Sequence, residues 1–258
     1  MDFPAIEIKM DGTTDSRGLP CPKNFLTDHP LPQDLWPRIL PFSLFMAFIG
    51  AEEVARTLNA HHLSTISEQA LYGLYPLKTL AVGALLLLYR KRYTEIQFTD
   101  WRHLKTTALS ISTGLLIFIL WINLDWTFGV QGEPEGFNPV VISDTGSREL
   151  LLIFRLAGAV LVVPVMEELF WRSFLLRYII KSQFTRVPLG TFTWPSFVLT
   201  SILFGVEHHY ILAGIVAGIL FNLLLYRTRS LSQCILAHAV ANLALGLYVL
   251  QSGQWRFW

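Results

Sequence analysis

The sequence is poor in cysteine and in charged residues. Its two cysteines, Cys21 and Cys234, lie far apart and form no CxxC pair, which argues against a structural disulfide and against a cysteine-based zinc site. Only 15% of the residues are charged and the net charge is +1, so no overall electric field favours nucleic acid as a partner. The first 36 residues lack the apolar core of a signal peptide, so we expect no cleavable leader.

Apolar residues are abundant in the chain. Hydrophobic residues make up 52% of the chain, and it contains 8 Trp and 18 Phe. This composition excludes an ordinary soluble domain and predicts an all-α protein, a polytopic transmembrane bundle of about seven to eight spans. We therefore expect an integral membrane protein whose immediate partner is the lipid bilayer. The oligomeric state stays open.

The apolar runs divide the chain into regions. Residues 1–35 form a polar tail that contains several prolines, and residues 36–149 hold N-terminal transmembrane helices and a long outer loop. The predicted spans cover about 39–58, 71–89, 104–124, 150–180, 194–209, 210–226 and 231–250. Basic residues follow the second, fourth and sixth of these spans. The positive-inside rule therefore places the N-terminus in the cytoplasm.

One charged run interrupts the apolar segment that begins at Leu150. Glu167 and Glu168 are adjacent, and Arg172 follows Glu168 at a spacing of i,i+4. That spacing puts Glu168 and Arg172 on one helix face, where they can form an ion pair. Glu167 lies about 100° around the helix and lacks this partner, so it is available for chemistry. The simpler alternative is a helix end with solvated charges.

Two further polar islands lie in apolar helices nearer the C-terminus. His208 ends the fifth predicted span, and His238 and Asn242 share one face of the seventh. Histidine can accept or donate a proton near neutral pH, and an inward-facing His and Asn suit hydrogen-bond donation to an oxyanion. Interfacial histidines and bonds between helices are the simpler alternatives. With Glu167, the islands supply a general base, an orienting partner and an oxyanion hole.

Other polar patterns have plainer explanations. Glu52 and Arg56 also have i,i+4 spacing, which predicts an interfacial ion pair. Gly214 and Gly218 predict close packing between helices. Cys234 lies one turn before His238 and could form a thiolate–imidazole pair, but a buried, unreactive cysteine is the simpler interpretation.

The three islands together resemble the family of CAAX-protease and bacteriocin-processing (CPBP) intramembrane proteases, which includes the Rce1-type prenyl endopeptidases. The motifs of that family, EExxxR, FxxxH and HxxxN, here span Glu167–Arg172, Phe204–His208 and His238–Asn242. The resemblance covers about residues 150–250 and also suggests a bacterial branch associated with exosortase systems. It implies a catalytic transmembrane domain of the CPBP type over residues 150–258.

The resemblance implies an intramembrane endopeptidase that hydrolyses a peptide bond near the membrane surface. Glu167, with His208 close by, would activate water, and His238 and Asn242 would stabilise the oxyanion. Glu168 and Arg172 would support the site. The expected substrate is a membrane protein or a lipid-linked peptide, and the expected location is a bacterial inner membrane.

Two questions remain open at this stage. The sequence has no HExxH motif, and we favour metal-free catalysis with no cofactor. Zinc held by Glu167, His208 and His238 is the alternative. A non-catalytic membrane scaffold, an immunity protein or a proton-coupled carrier could also use the same buried polar residues.

Overall fold

The computed structural model describes residues 34–126 and 136–258. Most of the predicted polar tail, Cys21 and residues 127–135 of the predicted outer loop lie outside the described residues. Within the described ranges the chain forms helices and no strand, which confirms the all-α fold class. The predicted domain boundaries at residues 35 and 149 stay predictions.

Seven helices of more than five residues organise the described part of the chain, if contiguous α- and π-helical segments are counted together. They are α1 (Trp36–Ala60), α2 (Glu68–Tyr89), α3 (Leu104–Asn123), α4 (Thr145–Ile180), α5 (Trp194–Val206), α6 (Ile211–Thr228) and α7 (Leu231–Ser252). Five of them, α2, α3, α4, α6 and α7, are long and apolar enough to cross a membrane. Of the other two predicted spans, α1 carries several charged residues and α5 has only 13 residues.

Helix α4 is the longest element, with 36 residues. It begins where the Asp144 side chain accepts a hydrogen bond from the Ser147 backbone N–H at 2.7 Å, which caps the helix. Two π-helical segments, Gly158–Val162 and Leu169–Leu175, interrupt the α-helical geometry. Pro164 explains the first, because proline has no N–H to donate and its ring crowds the carbonyl four residues earlier.

Helices α5 and α6 form a tightly packed hairpin. A Cβ atom added to Gly205 would lie 2.3 Å from the Ile215 side chain, and one added to Gly214 would lie 2.8 Å from the Gly205 Cα. Asn222 of α6 also donates hydrogen bonds to the Thr200 and Ser201 hydroxyls of α5, at 3.0 and 3.1 Å. The prediction of close packing at the α6 glycines is confirmed. The turn that connects the two helices of this hairpin carries His208.

Helix α7 packs into the centre of the bundle. A Cβ added to Gly114 of α3 would lie 2.3 Å from the Ala237 carbonyl oxygen of α7. Cys234 and Ala237 are fully buried against aromatic side chains that include Trp171 and Phe204. This close contact fixes the position of the next residue, His238, whose ring contacts Glu168 of α4 and stacks on Phe221 of α6.

Buried ion pairs hold the N-terminal helices in place. Arg38 of α1 contacts Glu95 with two nitrogens at 2.7 Å, and the Ser173 hydroxyl of α4 donates to the same carboxylate. Glu95 follows α2, so this network ties α1 and the α2–α3 connection to α4.

The predicted ion pair between Glu52 and Arg56 is wrong. Glu52 instead contacts Lys78 of α2 at 2.9 Å, and Arg56 lies 3.5 Å from Glu68. The reason is that α1 packs against α2, which brings a buried ammonium closer to Glu52 than its own helix neighbour.

Candidate active site

Glu168 is the centre of a buried polar cluster. Its Oε1 accepts a hydrogen bond from Arg172 Nη1 at 3.2 Å and another from His238 Nδ1 at 2.9 Å. Glu168 and Arg172 are 0% and 1% exposed, so the predicted ion pair exists and is fully buried. The guanidinium of Arg172 also lies over the rings of Phe204 and Phe221, 4.5 and 4.9 Å from their centroids. Favourable contacts with these rings offset part of the cost of burying the charge.

Glu167 faces the other side of the same imidazole. Its Oε2 lies 3.9 Å from Nε2 of His238, and this oxygen is buried without a hydrogen-bond partner. Because Nδ1 of His238 donates to Glu168, a proton on Nε2 would point towards Glu167. The imidazole therefore lies between two carboxylates, of which Glu168 is paired with Arg172 and Glu167 is not, and each has one buried oxygen without a partner.

His208 lies in the turn after α5, close to the Phe204 ring, which also lies near His238. Its Nδ1 is 2.7 Å from the Phe204 carbonyl oxygen, and since a carbonyl can only accept, Nδ1 carries the hydrogen. In the neutral ring Nε2 is then free to accept a proton. The centroid of the Phe204 ring lies 4.9 Å from that of His208 and 6.3 Å from that of His238. Trp121 packs edge-on against His208 at 5.1 Å.

Asn242 lies one turn beyond His238 on α7. Its Nδ2 donates to the Ala159 carbonyl oxygen at 2.8 Å, inside the first π-helical segment of α4. Within the described residues it makes no hydrogen bond to Glu167, His208 or His238. One amide hydrogen thus connects α7 to α4, and the second is available for a ligand.

The structure also places Glu207 at this site, a residue to which no role is assigned from the sequence. Its Oε2 accepts a hydrogen bond from Trp171 Nε1 at 3.1 Å, and its charge acts on the carboxyl of Glu167. Two sequence signals were present: Glu207 precedes His208, and Trp171 lies inside the EExxxR motif. Three carboxylates, one Arg and two His therefore lie in this part of the bundle.

The proposed zinc ligands do not fit a metal site. Within residues 34–126 and 136–258, no group of three or more His, Cys, Asp or Glu side chains has an arrangement that could hold a metal ion. We derive no catalytic step through a metal, and the absence of a cofactor stays a prediction.

Cys234 has a different neighbour from the one that nucleophilic catalysis requires. The buried thiol is 3.8 Å from the Phe221 carbonyl oxygen, to which it donates. Both ring nitrogens of His238 face glutamates. No thiol–imidazole contact exists among the described residues, so the geometry favours the glutamate site.

Comparison with known proteins gives one finding for this part of the chain. Residues 149–244 match the model of the family described as type II CAAX prenyl endopeptidase Rce1-like. The matched range contains every candidate residue from Glu167 to Asn242. No curated protein and no solved structure matches the chain. The resemblance to the CPBP family is confirmed, and the assignment to a bacterial, exosortase-associated branch stays a prediction.

Proposed function

We propose that this integral membrane protein, whose residues 149–244 match the Rce1-like family model, hydrolyses a peptide bond with a water molecule activated by Glu167. The observation that carries the proposal is the position of one carboxylate oxygen. Glu167 Oε2 is buried, has no hydrogen-bond partner and lies 3.9 Å from an imidazole nitrogen. A carboxylate with a free oxygen can accept a proton from water. Glu168 also has a buried oxygen without a partner, but its other oxygen is engaged by both Arg172 and His238, which suits a supporting role.

The proposed reaction has two steps. Glu167 takes a proton from water, and the resulting hydroxide adds to the scissile carbonyl carbon to give a tetrahedral oxyanion. The protonated Glu167 then gives that proton to the leaving amine nitrogen as the C–N bond breaks. The hydroxyl group of the water is now part of the new carboxyl end, and its proton is on the new amino end. Glu167 is again in its starting state.

The remaining residues stabilise charge or hold the site together. His238 Nε2 and the second amide hydrogen of Asn242 are the proposed donors to the oxyanion, and His208 is proposed to orient the water. One such donor contributes about 2.7–4 kcal/mol of transition-state stabilisation in better-studied enzymes. Glu168 and Arg172 keep His238 in place.

The proposed substrate is a membrane protein or a lipid-linked peptide, cleaved near the membrane surface. We also propose a bacterial inner membrane as the location, with the N-terminus in the cytoplasm. The support for this orientation is the set of basic residues that follow α2, the end of α4 and the end of α6.

Substrate trapping tests the proposal. Glu167→Gln keeps the size of the side chain and its hydrogen-bonding ability but removes the base. We expect cells with this variant to accumulate an uncleaved membrane protein or lipid-linked peptide, which mass spectrometry of purified membranes would identify. Glu149→Gln, on the exposed first turns of the same helix, is the matched control and should give the wild-type pattern.

A proton-coupled carrier or a scaffold gives a different outcome. In that case wild-type and Glu167→Gln membranes would contain the same peptides, and the termini of those peptides would be identical. Such a result would reject the peptidase.

A further inference from the structure

Arg155 of α4 lies in a cage of three aromatic rings, at the opposite end of α4 from Arg172. Its guanidinium carbon is 4.2 Å from the centroid of the Phe137 ring, 4.9 Å from that of Tyr75 and 5.4 Å from that of Trp258. The cage is held together by hydrogen bonds. The Phe137 N–H donates to the Trp258 carbonyl at 2.8 Å, and the Tyr75 hydroxyl donates to the Arg155 carbonyl at 3.2 Å. The guanidinium is therefore held in one position by distant parts of the chain.

This guanidinium has no anionic partner among the described residues. Other cations near this end of the bundle do have one, in the pairs Lys78–Glu52, Arg56–Glu68 and Arg256–Asp125. In the part of the chain that the structure describes, no carboxylate lies within 4.0 Å of Arg155, although the charge of Glu52 acts on it from further away, and its Nε is buried without a hydrogen-bond acceptor. Its surroundings also contain Lys78, which shares the Tyr75 ring with it. An unpaired charge among apolar side chains is costly, which points to a missing partner.

The terminal nitrogens of Arg155 are where such a partner can bind. The residue as a whole is partly exposed, and Nε is its enclosed nitrogen without a partner, so the two terminal nitrogens are the ones that we assign to a ligand. The rings orient a planar fork of N–H donors, which matches the geometry of two oxygens on one phosphorus atom. Fixing the fork in advance lowers the entropy that binding costs.

The position along α4 corresponds to the depth of lipid headgroups. At 36 residues, α4 is about 54 Å long, whereas the hydrocarbon core of a bilayer is about 30 Å thick. Arg155 is ten residues, or about 15 Å, from the first residue of α4. Tyr and Trp rings are also typical of the membrane interface.

We propose that Arg155 is the anchor of an anion-binding site that takes a phosphate group, supplied by a phospholipid headgroup or by free phosphate. The rings of Tyr75, Phe137 and Trp258 form its walls, and the two terminal nitrogens of Arg155 bind two phosphate oxygens. The site lies about 18 Å along α4 from Glu167, so it is separate from the proposed catalytic centre. Its existence does not depend on peptidase activity.

Native mass spectrometry of the full-length protein in a neutral detergent tests this site. The probes are phosphatidylglycerol, inorganic phosphate and diacylglycerol, which has the acyl chains but no phosphate. We expect wild-type protein to bind one phosphate-bearing probe in preference to diacylglycerol. Arg155→Gln should weaken that binding roughly tenfold or more, because charge-assisted hydrogen bonds are lost. Arg56→Gln removes one positive charge at an exposed, paired position and should leave the affinity within about twofold of wild type.

The arms of the experiment separate the two sources of phosphate. A preference for phosphatidylglycerol assigns the site to a headgroup, and binding of inorganic phosphate alone assigns it to a soluble anion. If Arg155→Gln does not fold, Trp258→Leu keeps the cation but opens the cage, and we expect a smaller, roughly threefold loss. Two results would overturn the proposal. The first is equal binding of diacylglycerol and phosphatidylglycerol with no binding of inorganic phosphate. The second is an affinity that does not change in any folded variant at Arg155 or Trp258.

Discussion

Nε2 of His238 lies 3.9 Å from Oε2 of Glu167, while Nδ1 of the same ring is bonded to Glu168. The imidazole thus connects the carboxylate proposed to act on water with the one held by Arg172. Its two nitrogens have separate tasks: one fixes the ring and the other faces the reacting groups. This relationship is the basis of the first prediction.

Replacing His238 with Gln should lower kcat/KM about a hundredfold, the effect of losing one oxyanion donor. The Glu168–Arg172 pair does not need His238, so the variant should still fold. The measurement is cleavage of a peptide substrate by protein in vesicles, with circular dichroism to verify helicity. His209→Gln, which alters the exposed neighbour of His208, is the control and should retain wild-type activity. An equal loss in both variants would argue against a specific role for His238.

Arg172→Met should destabilise the bundle by about 3–5 kcal/mol, because it leaves the fully buried Glu168 without its cationic partner. Reversible unfolding in mixed micelles would measure the change in the free energy of unfolding. Arg102→Met, at an exposed position after α2, should change it by less than about 0.5 kcal/mol. Similar values for the two variants would mean that the buried pair adds little to stability.

Gly205→Ala should destabilise the α5–α6 hairpin and reduce activity. The added Cβ would lie 2.3 Å from Ile215 and 2.7 Å from the Ile211 carbonyl oxygen, so the helices must separate and move His208. We expect a loss of about 1–3 kcal/mol in the free energy of unfolding. Gly73→Ala is the matched control, since nothing lies within 4 Å of its Cβ position in α2. The control should be neutral or slightly stabilising, by up to about 1 kcal/mol. A neutral Gly205→Ala would refute the close approach.

Glu95, in the connection outside the candidate spans, should make stability depend on pH. Burial alone would raise the pKa of Glu95, but hydrogen bonds from Arg38 and Ser173 and the charge of Arg38 outweigh it and hold the pKa below its usual 4.5. The ionised form is therefore favoured by folding. Its contribution is complete above pH 4.5 and is lost as the pH falls through the lower folded-state pKa.

The comparison of wild type with Glu95→Gln measures this contribution. At pH 7 the variant should be less stable by about 3 kcal/mol, because Arg38 loses its buried partner. The difference should shrink as the pH falls below 4.5. Unfolding in mixed micelles at a series of pH values would follow it. A difference that stays constant down to pH 3 would contradict the assignment.

Relationships within one helix were readable from the sequence. The i,i+4 spacing predicted the pair between Glu168 and Arg172, and the apolar runs predicted the positions of most helices. The three motifs located the part of the chain that matches the Rce1-like family. These features depend on local helix geometry, which is the same in every helix.

Relationships between helices were not readable in the same way. The contact of His238 with Glu168 spans 70 residues, and it depends on how α7 is rotated against α4. The bond from Asn242 to Ala159 also requires the π-helical segment of α4, which exposes a carbonyl that a regular helix would bond internally. The Glu52–Arg56 prediction was wrong for the same reason, since a residue on another helix was the better partner.

The central claim is that Glu167 is the base that activates water. Its most direct test is the single-turnover rate of peptide cleavage by wild type, Glu167→Gln and Glu149→Gln, each reconstituted in vesicles with a substrate found by trapping. General-base catalysis contributes about 10²–10⁴-fold, so Glu167→Gln should be slower by at least a hundredfold and still bind the substrate. Glu149→Gln should cleave at the wild-type rate. A Glu167→Gln rate within a few-fold of wild type would contradict the account.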